Sequence, residues 1–313
     1  MKKALKITLS VIAVLLAVIL LVGLIAPKFI KKEETKFTSD KEYAQTEIAS
    51  IVTKHFAEQN GKDKKALIIG LDGTRRDQTD VILGNNGAGK YLLENGGGVY
   101  KAFTGGVEGK LQPTVTACGW TTILTGKWAD EHGVDNNGVL KNPSARTFIT
   151  KIAQDYDKNT ALFVTYSSII SDTLKEEKEF VEKNNISARY EIYKKSNELV
   201  VDTNLNKAMR EELAKTGDDS LDLLYGIYDG TDVYGHSPLG GFTGDRGAYA
   251  FSVTVVDDWA KDLIDIIEAR DTYENEDWLI MLVSDHGGLV RDHMNQTDDE
   301  RNVYFFTNKK LAE

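Results

Sequence analysis

Thr116 stands ten residues ahead of Gly126 in the run Pro113-Thr-Val-Thr-Ala-Cys-Gly-Trp-Thr-Thr-Ile-Leu-Thr-Gly126, and most of the groups that could serve its hydroxyl lie far along the chain. Only five histidines occur in 313 residues, and three sit beside aspartates: Asp232-Val-Tyr-Gly-His236, Asp285-His286-Gly-Gly288 and Arg291-Asp-His293. Asp72 directly follows the apolar run Ala66–Leu71. Carboxylates and imidazoles in that number suit two divalent cations around one hydroxyl nucleophile, which is the equipment of metal-assisted phosphoryl transfer.

Each motif also has a plainer reading. Asp72 alone could cap a turn. Thr116 precedes Ala117–Leu124, a predicted short helix, so its hydroxyl could be an N-cap that accepts a backbone N–H. A threonine at a helix N-terminus beside cations would equally have its alkoxide stabilised by the helix dipole and the metal charge. The Asp232–His236 pair fits one ion better than a turn with side-chain hydrogen bonds. Asp285 and His286 leave an apolar strand at a Gly-Gly turn, where buried charge and imidazole need partners. His293 could be an exposed loop residue or complete a second ion. His132 reads as a packing or supporting residue, and His55 as solvent-facing on a spacer helix. Gly84-x-x-x-x-Gly89-Lys90 matches most of a phosphate-binding P-loop, but Tyr91 stands where its Ser or Thr belongs.

Positioning those groups requires a frame of strands. Apolar, β-branched runs occur at Ala66–Leu71, Ala161–Thr165, Leu221–Tyr228, Trp278–Ser284 and Asn302–Thr307. Helical spacing of apolar residues occupies Ser144–Gln154, Glu176–Ala214 with interruptions, and Tyr249–Ala269. The alternation predicts an α/β fold of three layers, a mainly parallel central sheet with helices on both faces. Ligands of such sheets gather at the carboxyl ends of strands, and Asp72, Asp229 with Asp232, and Asp285 each closely follow a predicted strand. A hydrophobic fraction of 41% is ample for the core. The single cysteine, Cys118, rules out an internal disulfide and an all-cysteine metal site.

Met1-Lys-Lys precedes an apolar stretch, Ile7–Ala26, which as a helix would rise about 30 Å and cross a bilayer. The expected organisation is a membrane anchor over 1–30, a charged spacer over 31–64 with a short helix near Glu42–Glu58, and a catalytic domain over 65–313. The anchor places the protein in the cell membrane as a single-pass chain with its catalytic domain outside the cytoplasm. Secretion after signal cleavage is the alternative, although Pro27 directly follows Ala26. Residues 1–36 hold seven lysines and two glutamates, so the remainder carries 31 basic against 46 acidic residues, a balance of −15. Such a surface disfavours nucleic acid as a partner.

In this order the motifs resemble those of the alkaline phosphatase superfamily, most closely its nucleotide pyrophosphatase/phosphodiesterase-like branch, over roughly residues 65–307. The resemblance implies an alkaline phosphatase-like fold and a two-metal site. One ion would take Asp72, Thr116, Asp285 and His286, and the other Asp232, His236 and His293. Zinc suits these donors and manganese would tolerate them. Thr116 would be the catalytic nucleophile, passing through a phosphothreonine. The substrate would be a small phosphorylated molecule, a nucleotide or a lipid head group. The chain departs from the pattern at Gly119, where relatives place an asparagine that contacts phosphate, and at Cys118 in place of a proline. Sulfatases share the fold but need a cysteine or serine where Thr116 stands. Rival readings are a phosphomonoesterase, an envelope transferase of phosphoglycerol or phosphoethanolamine type, and a metal-stabilised surface binding protein without turnover.

Overall fold

The apolar run that begins after Lys65 lies at the centre of a sheet. In the computed structural model, which describes residues 30–142, 145–193, 195, 201–242 and 247–311, ten strands are formed. They are β1 (Glu42–Ala44), β2 (Asp63–Leu71), β3 (Gly98–Phe103), β4 (Gly106–Val107), β5 (Lys110–Leu111), β6 (Thr160–Val164), β7 (Ala188–Ile192), β8 (Leu223–Tyr228), β9 (Glu276–Ser284) and β10 (Asn302–Thr307). Eight of them form one sheet in the order β1-β3-β10-β9-β2-β8-β6-β7, and β4 and β5 form a separate hairpin. All neighbours in the large sheet pair in parallel except those of β10, which runs antiparallel to β3 and β9. The mainly parallel α/β sheet expected from the sequence is therefore present.

Both faces are covered, as the near-continuous apolar strands require. In β2, Ala66 and Ile68 face one core, while Leu67, Ile69 and Leu71 face the other. The first core is closed by helices Glu47–Ala57, Thr116–Thr125 and Phe148–Asp155, through residues such as Val52, Trp120 and Ile149. The second is closed by Thr79–Gly84, Ala88–Glu94, Thr203–Leu213 and the 22-residue helix Gly247–Glu268. Leu67, Ile69 and Leu71 are wholly buried, each contributing roughly 1.5–3 kcal/mol. Gly70 lets Trp120 lie on β2, since a Cβ there would come within 2.6 Å of the indole.

Several expectations are corrected. Residues 31–64 are not a free stalk. Glu42–Ala44 pairs in parallel with β3, and the helix Glu47–Ala57 buries Ile48, Val52 and Phe56 in the first core. That helix is amphipathic, and its apolar stripe outweighs the charged sequence around it. His55 is consequently buried rather than solvent-facing, with Nε2 3.0 Å from the Lys65 carbonyl. The stretch expected as broken helix over Glu176–Ala214 instead frames the edge strand β7 between Lys175–Lys183 and Thr203–Leu213. Around the P-loop-like segment, the Gly89 N–H donates to the buried carboxylate of Asp257 at 2.8 Å, so a protein acid occupies the place of a phosphate. The expected membrane segment over residues 7–26 lies outside the described residues. Among the described residues no helix is long and apolar enough to cross a membrane.

Candidate metal centre and nucleophile

Three parallel strands end at one edge of the sheet and deliver acids there. Asp72 follows β2, Asp285 and His286 follow β9, and Asp229 follows β8 and leads into the short helix Gly230–His236 that carries Asp232 and His236. The helix Thr116–Thr125 starts at the same edge. Val115 occupies its N-cap position, and Thr116 makes no capping hydrogen bond, so the capping role open from the sequence is not the one observed. The Thr116 hydroxyl lies instead 3.4 Å from Asp72 Oδ1 and 3.4 Å from His286 Nε2.

Around this hydroxyl the donors fall into two groups. Asp72, Asp285 and His286 form one, with His286 Nε2 at 3.6 Å from Asp72 Oδ1 and 3.4 Å from Asp285 Oδ2. Asp232, His286 and His293 form the other, with His293 Nε2 at 3.6 Å from Asp232 Oδ1. His236 joins the second group, its Nε2 3.3 Å from Asp232 Oδ2 and 3.1 Å from His293 Nε2. All seven residues singled out in the sequence thus converge, and His286 stands between the two groups. Each imidazole is oriented through its other nitrogen: Nδ1 of His236, His286 and His293 meets the carbonyl of Arg291, Gly287 and Thr114 respectively, at 2.7–2.8 Å. Nε2 is thereby left to point inward, as metal-binding histidines require.

The carboxylates are held with equal care. Trp120 Nε1 donates to Asp72 Oδ2 at 3.0 Å, the Gly73 N–H donates to Asp285 Oδ1 at 3.0 Å, and Gln45 Nε2 donates to the Asp285 carbonyl at 2.7 Å. Asp285 Oδ2 and Asp232 Oδ1 are buried without a hydrogen-bond donor. Burial, then the charges of Asp285 and Asp232, hold the Asp72 carboxyl well above the usual range. Burial, with the Asp232 charge adding to it, raises Asp285 likewise. His286 is pushed down to about 3 by burial and by His293, whereas the hydrogen bond that His236 donates to Asp232 lifts His236 to about 9. Crowded acids with unpaired buried oxygens are costly without positive charge, and cations would supply it. The chemistry of these donors therefore fits divalent metal.

A family model of type I phosphodiesterase / nucleotide pyrophosphatase matches residues 66–305, a range that contains every one of these side chains. The chain belongs to this family. Among solved structures, a 2-O GAG sulfatase aligns over 80% of this chain and 65% of its own, at 9% identity and a TM-score of 0.52. A protein in the alkaline phosphatase superfamily from Vibrio parahaemolyticus aligns over 85% and 69%, at 11% identity and a TM-score of 0.51. An inactive form of murine ectonucleotide pyrophosphatase / phosphodiesterase 5, in complex with AMP, aligns over 72% and 57%, at 17% identity and a TM-score of 0.46. The first two establish a shared fold. The chain spans less than two thirds of the length of the sulfatase and of the murine protein. No curated protein matches.

Membership of the family sharpens the meaning of the departure at Gly119. A Cβ at that position would lie 2.7 Å from the Asp285 carbonyl oxygen and 2.8 Å from the Asp285 Cβ, so the site's own backbone leaves no room for an asparagine there. The structure brings another one in. Asn137 lines a pocket of about 350 Å³ together with Thr116, Tyr166, Lys195, Asp232, His236 and His293. Its Oδ1 accepts the Ala117 N–H at 3.0 Å. Sequence reasoning missed Asn137 because an uncharged side chain in a Gly- and Asn-rich loop carries no motif; its place beside the Asp130-Glu-His-Gly segment was the one available signal. Lys195, paired with Asp229, was missed because a lysine in a charged stretch reads as a solvated surface residue. Of the nearby aromatics, Trp120 is wholly buried against Asp72, Tyr234 lines a different pocket, and Tyr166 lines the site. His132 is a packing residue: fully buried, Nδ1 accepting the Val134 N–H at 3.0 Å and Nε2 3.2 Å from Thr122 Oγ1.

Proposed function

We propose that this protein hydrolyses phosphodiesters of a small phosphorylated substrate, a nucleotide or a lipid head group, through a phosphothreonine at Thr116. The observation that carries the reading is the Thr116 hydroxyl set 3.4 Å from both Asp72 Oδ1 and His286 Nε2, beside two buried unpaired carboxylate oxygens. Divalent cations, zinc or manganese, held by Asp72, Asp285 and His286 and by Asp232, His236 and His293, would supply the positive charge that stabilises phosphoryl and alkoxide oxygens.

The chain's own groups then have defined tasks. Thr116 Oγ1 forms a bond to phosphorus as the bond to the leaving ester oxygen breaks. A water molecule afterwards cleaves the phosphothreonine and restores the hydroxyl. Lying at the start of the helix Thr116–Thr125, the oxygen also gains from the positive end of the helix dipole. Because Asn137 Oδ1 is engaged by Ala117, its Nδ2 is left to donate to a phosphoryl oxygen, the contact that Gly119 cannot make. Tyr166 and Lys195 line the same pocket and would meet the ester substituent.

The test is turnover of bis(p-nitrophenyl) phosphate against p-nitrophenyl phosphate by the zinc-loaded protein, with Thr116→Ala as control. Faster release from the diester, falling on the order of 10³-fold or more in Thr116→Ala at unchanged metal content, is expected. Full turnover by Thr116→Ala would sink the assignment, and preference for the monoester would make the protein a phosphatase.

A further inference from the structure

Isolated exposed apolar side chains are ordinary on a protein surface, but a cluster of them around one opening marks an interaction face. Among the described residues, all of the exposed large hydrophobics except Tyr156 lie on segments at the carboxyl edge of the sheet, where the site opens. Leu239, Phe251, Leu289, Val290 and Met294 are five of them. They are tied to the site by backbone. The Arg291 carbonyl beside Val290 orients His236, Met294 adjoins His293, and the Ala248 N–H, at the start of Phe251's helix, meets the Leu239 carbonyl at 3.3 Å. Val139, two residues from Asn137, and Leu111, on the hairpin β4–β5, continue the rim on the other side.

The chain itself indicates what covers this rim. Ile30, the first described residue, lines one pocket with Phe251. Only Pro27-Lys-Phe29 separates it from the apolar stretch Ile7–Ala26, so Ala26 can be no more than about 14 Å from Ile30 even when fully extended. A stretch long enough to span a bilayer therefore ends close to Phe251. We propose that the rim of the site rests on the bilayer that takes residues 7–26 of the same chain, and that the site accepts a phosphoester carried on a lipid at that surface. The substrate clause rests on the phosphodiesterase reading above, and the docking clause does not. The chain's net charge of −10 gives it no general attraction to an anionic lipid surface.

The full-length chain, reconstituted in phosphatidylcholine vesicles, tests the docking. Cys118 is buried and burial pushes its thiol up to about 12, so a new surface cysteine can be labelled selectively. An environment-sensitive fluorophore at Val290→Cys or Leu239→Cys is expected to be quenched several-fold more by a nitroxide-bearing phosphatidylcholine than one at Lys62→Cys, at the opposite, amino edge. Equal quenching at all three positions, or energy transfer between labelled copies without lipid quenching, overturns the proposal. This readout needs no turnover, so an inactive protein would sink the phosphodiesterase reading and leave the docking intact. The substrate clause is read with Leu239→Gln and Val290→Gln, which are expected to lower turnover of a vesicle-borne phosphodiester about tenfold and leave bis(p-nitrophenyl) phosphate unaffected, a loss of ~1.4 kcal/mol. Equal loss on both substrates, or on neither, overturns it.

Discussion

The two ends of the central sheet treat charge in opposite ways. At the amino edge every strand start that carries a buried charge also carries its partner. Lys64 meets Asp277 at 2.6 Å, Lys65 meets Asp222 at 2.9 Å, and Arg270 meets Glu276 at 2.8 Å. His55, Glu58 and Asp277 could bracket a cation there, but Lys64 and Lys309 already supply the positive charge. At the carboxyl edge Asp72, Asp232 and Asp285 crowd together, and oxygens of the last two lack any donor. One edge is arranged for stability. The other keeps unpaired charge in place for a ligand, as functional sites do.

If that contrast is right, removing an acid should have opposite consequences at the two edges. Asp222→Ala leaves Lys65 buried with only the more distant Asp63 and should cost about 3–5 kcal/mol in chemical denaturation, with catalysis by the remaining folded protein unchanged. A loss under about 1 kcal/mol would mean that the amino-edge pairs are ornamental. Asn137→Ala should cost only about 1 kcal/mol of stability, from loss of the acceptor for the Ala117 N–H, and lower kcat about 10²–10³-fold, which steady-state kinetics on the diester would read. An unchanged kcat would remove Asn137 from the site.

The carboxyl edge should also respond to metal. Zinc or manganese at a hundredfold excess over its Kd should stabilise the metal-free protein by about 2.7 kcal/mol, reversibly with EDTA, as followed by thermal melting. Asp285→Asn keeps the acceptor for the Gly73 N–H but drops the charge. It should melt no lower than the metal-free parent and lose most of the metal-induced rise. A sharp fall in its metal-free stability would show that the acid is paired after all.

A smaller effect concerns protons. His55 and His132 are held down to about 4, chiefly by burial, with Lys309 adding to the effect at His55. The unfolded chain takes up protons at these groups below about pH 6.5, and the folded chain does so only near 4. Their stabilisation is thus complete above 6.5 and is lost as pH falls, by about 2 kcal/mol per histidine at pH 5. Denaturation curves at pH 7 and 5 should show the loss. His132→Gln and His55→Asn should each flatten the slope, and slopes equal to the parent's would refute these assignments.

Much of the frame was legible in the sequence because its signals are local. The five strands read from apolar runs at Ala66, Ala161, Leu221, Trp278 and Asn302 all exist, with ends displaced by two or three residues at most. Acids and imidazoles that directly follow such runs stand out because a buried charge needs a reason. Asp72, Asp285 and His286 could be named on that ground, whereas Thr116, Asp232, His236 and His293 were named from their local motifs and the family resemblance. Edge strands were harder. β1 has three residues and β7 carries the charged Arg189 and Glu191, so neither shows a continuous apolar run.

By itself the sequence determined which residues could donate to cations and which segments would be strands, because donor chemistry and side-chain alternation belong to single residues and their neighbours. Only the tertiary structure decided that the helix Glu47–Ala57 belongs to the core, that His286 stands between the two donor groups, and that Asn137 lines the Thr116 pocket. It also decided that, among the described residues, every exposed large hydrophobic but Tyr156 lies on a segment at one edge. The physical reason is the same in each case. These facts depend on distances between segments separated by tens to hundreds of residues, and such distances are fixed by sheet pairing and close packing rather than by anything written along a single stretch of chain.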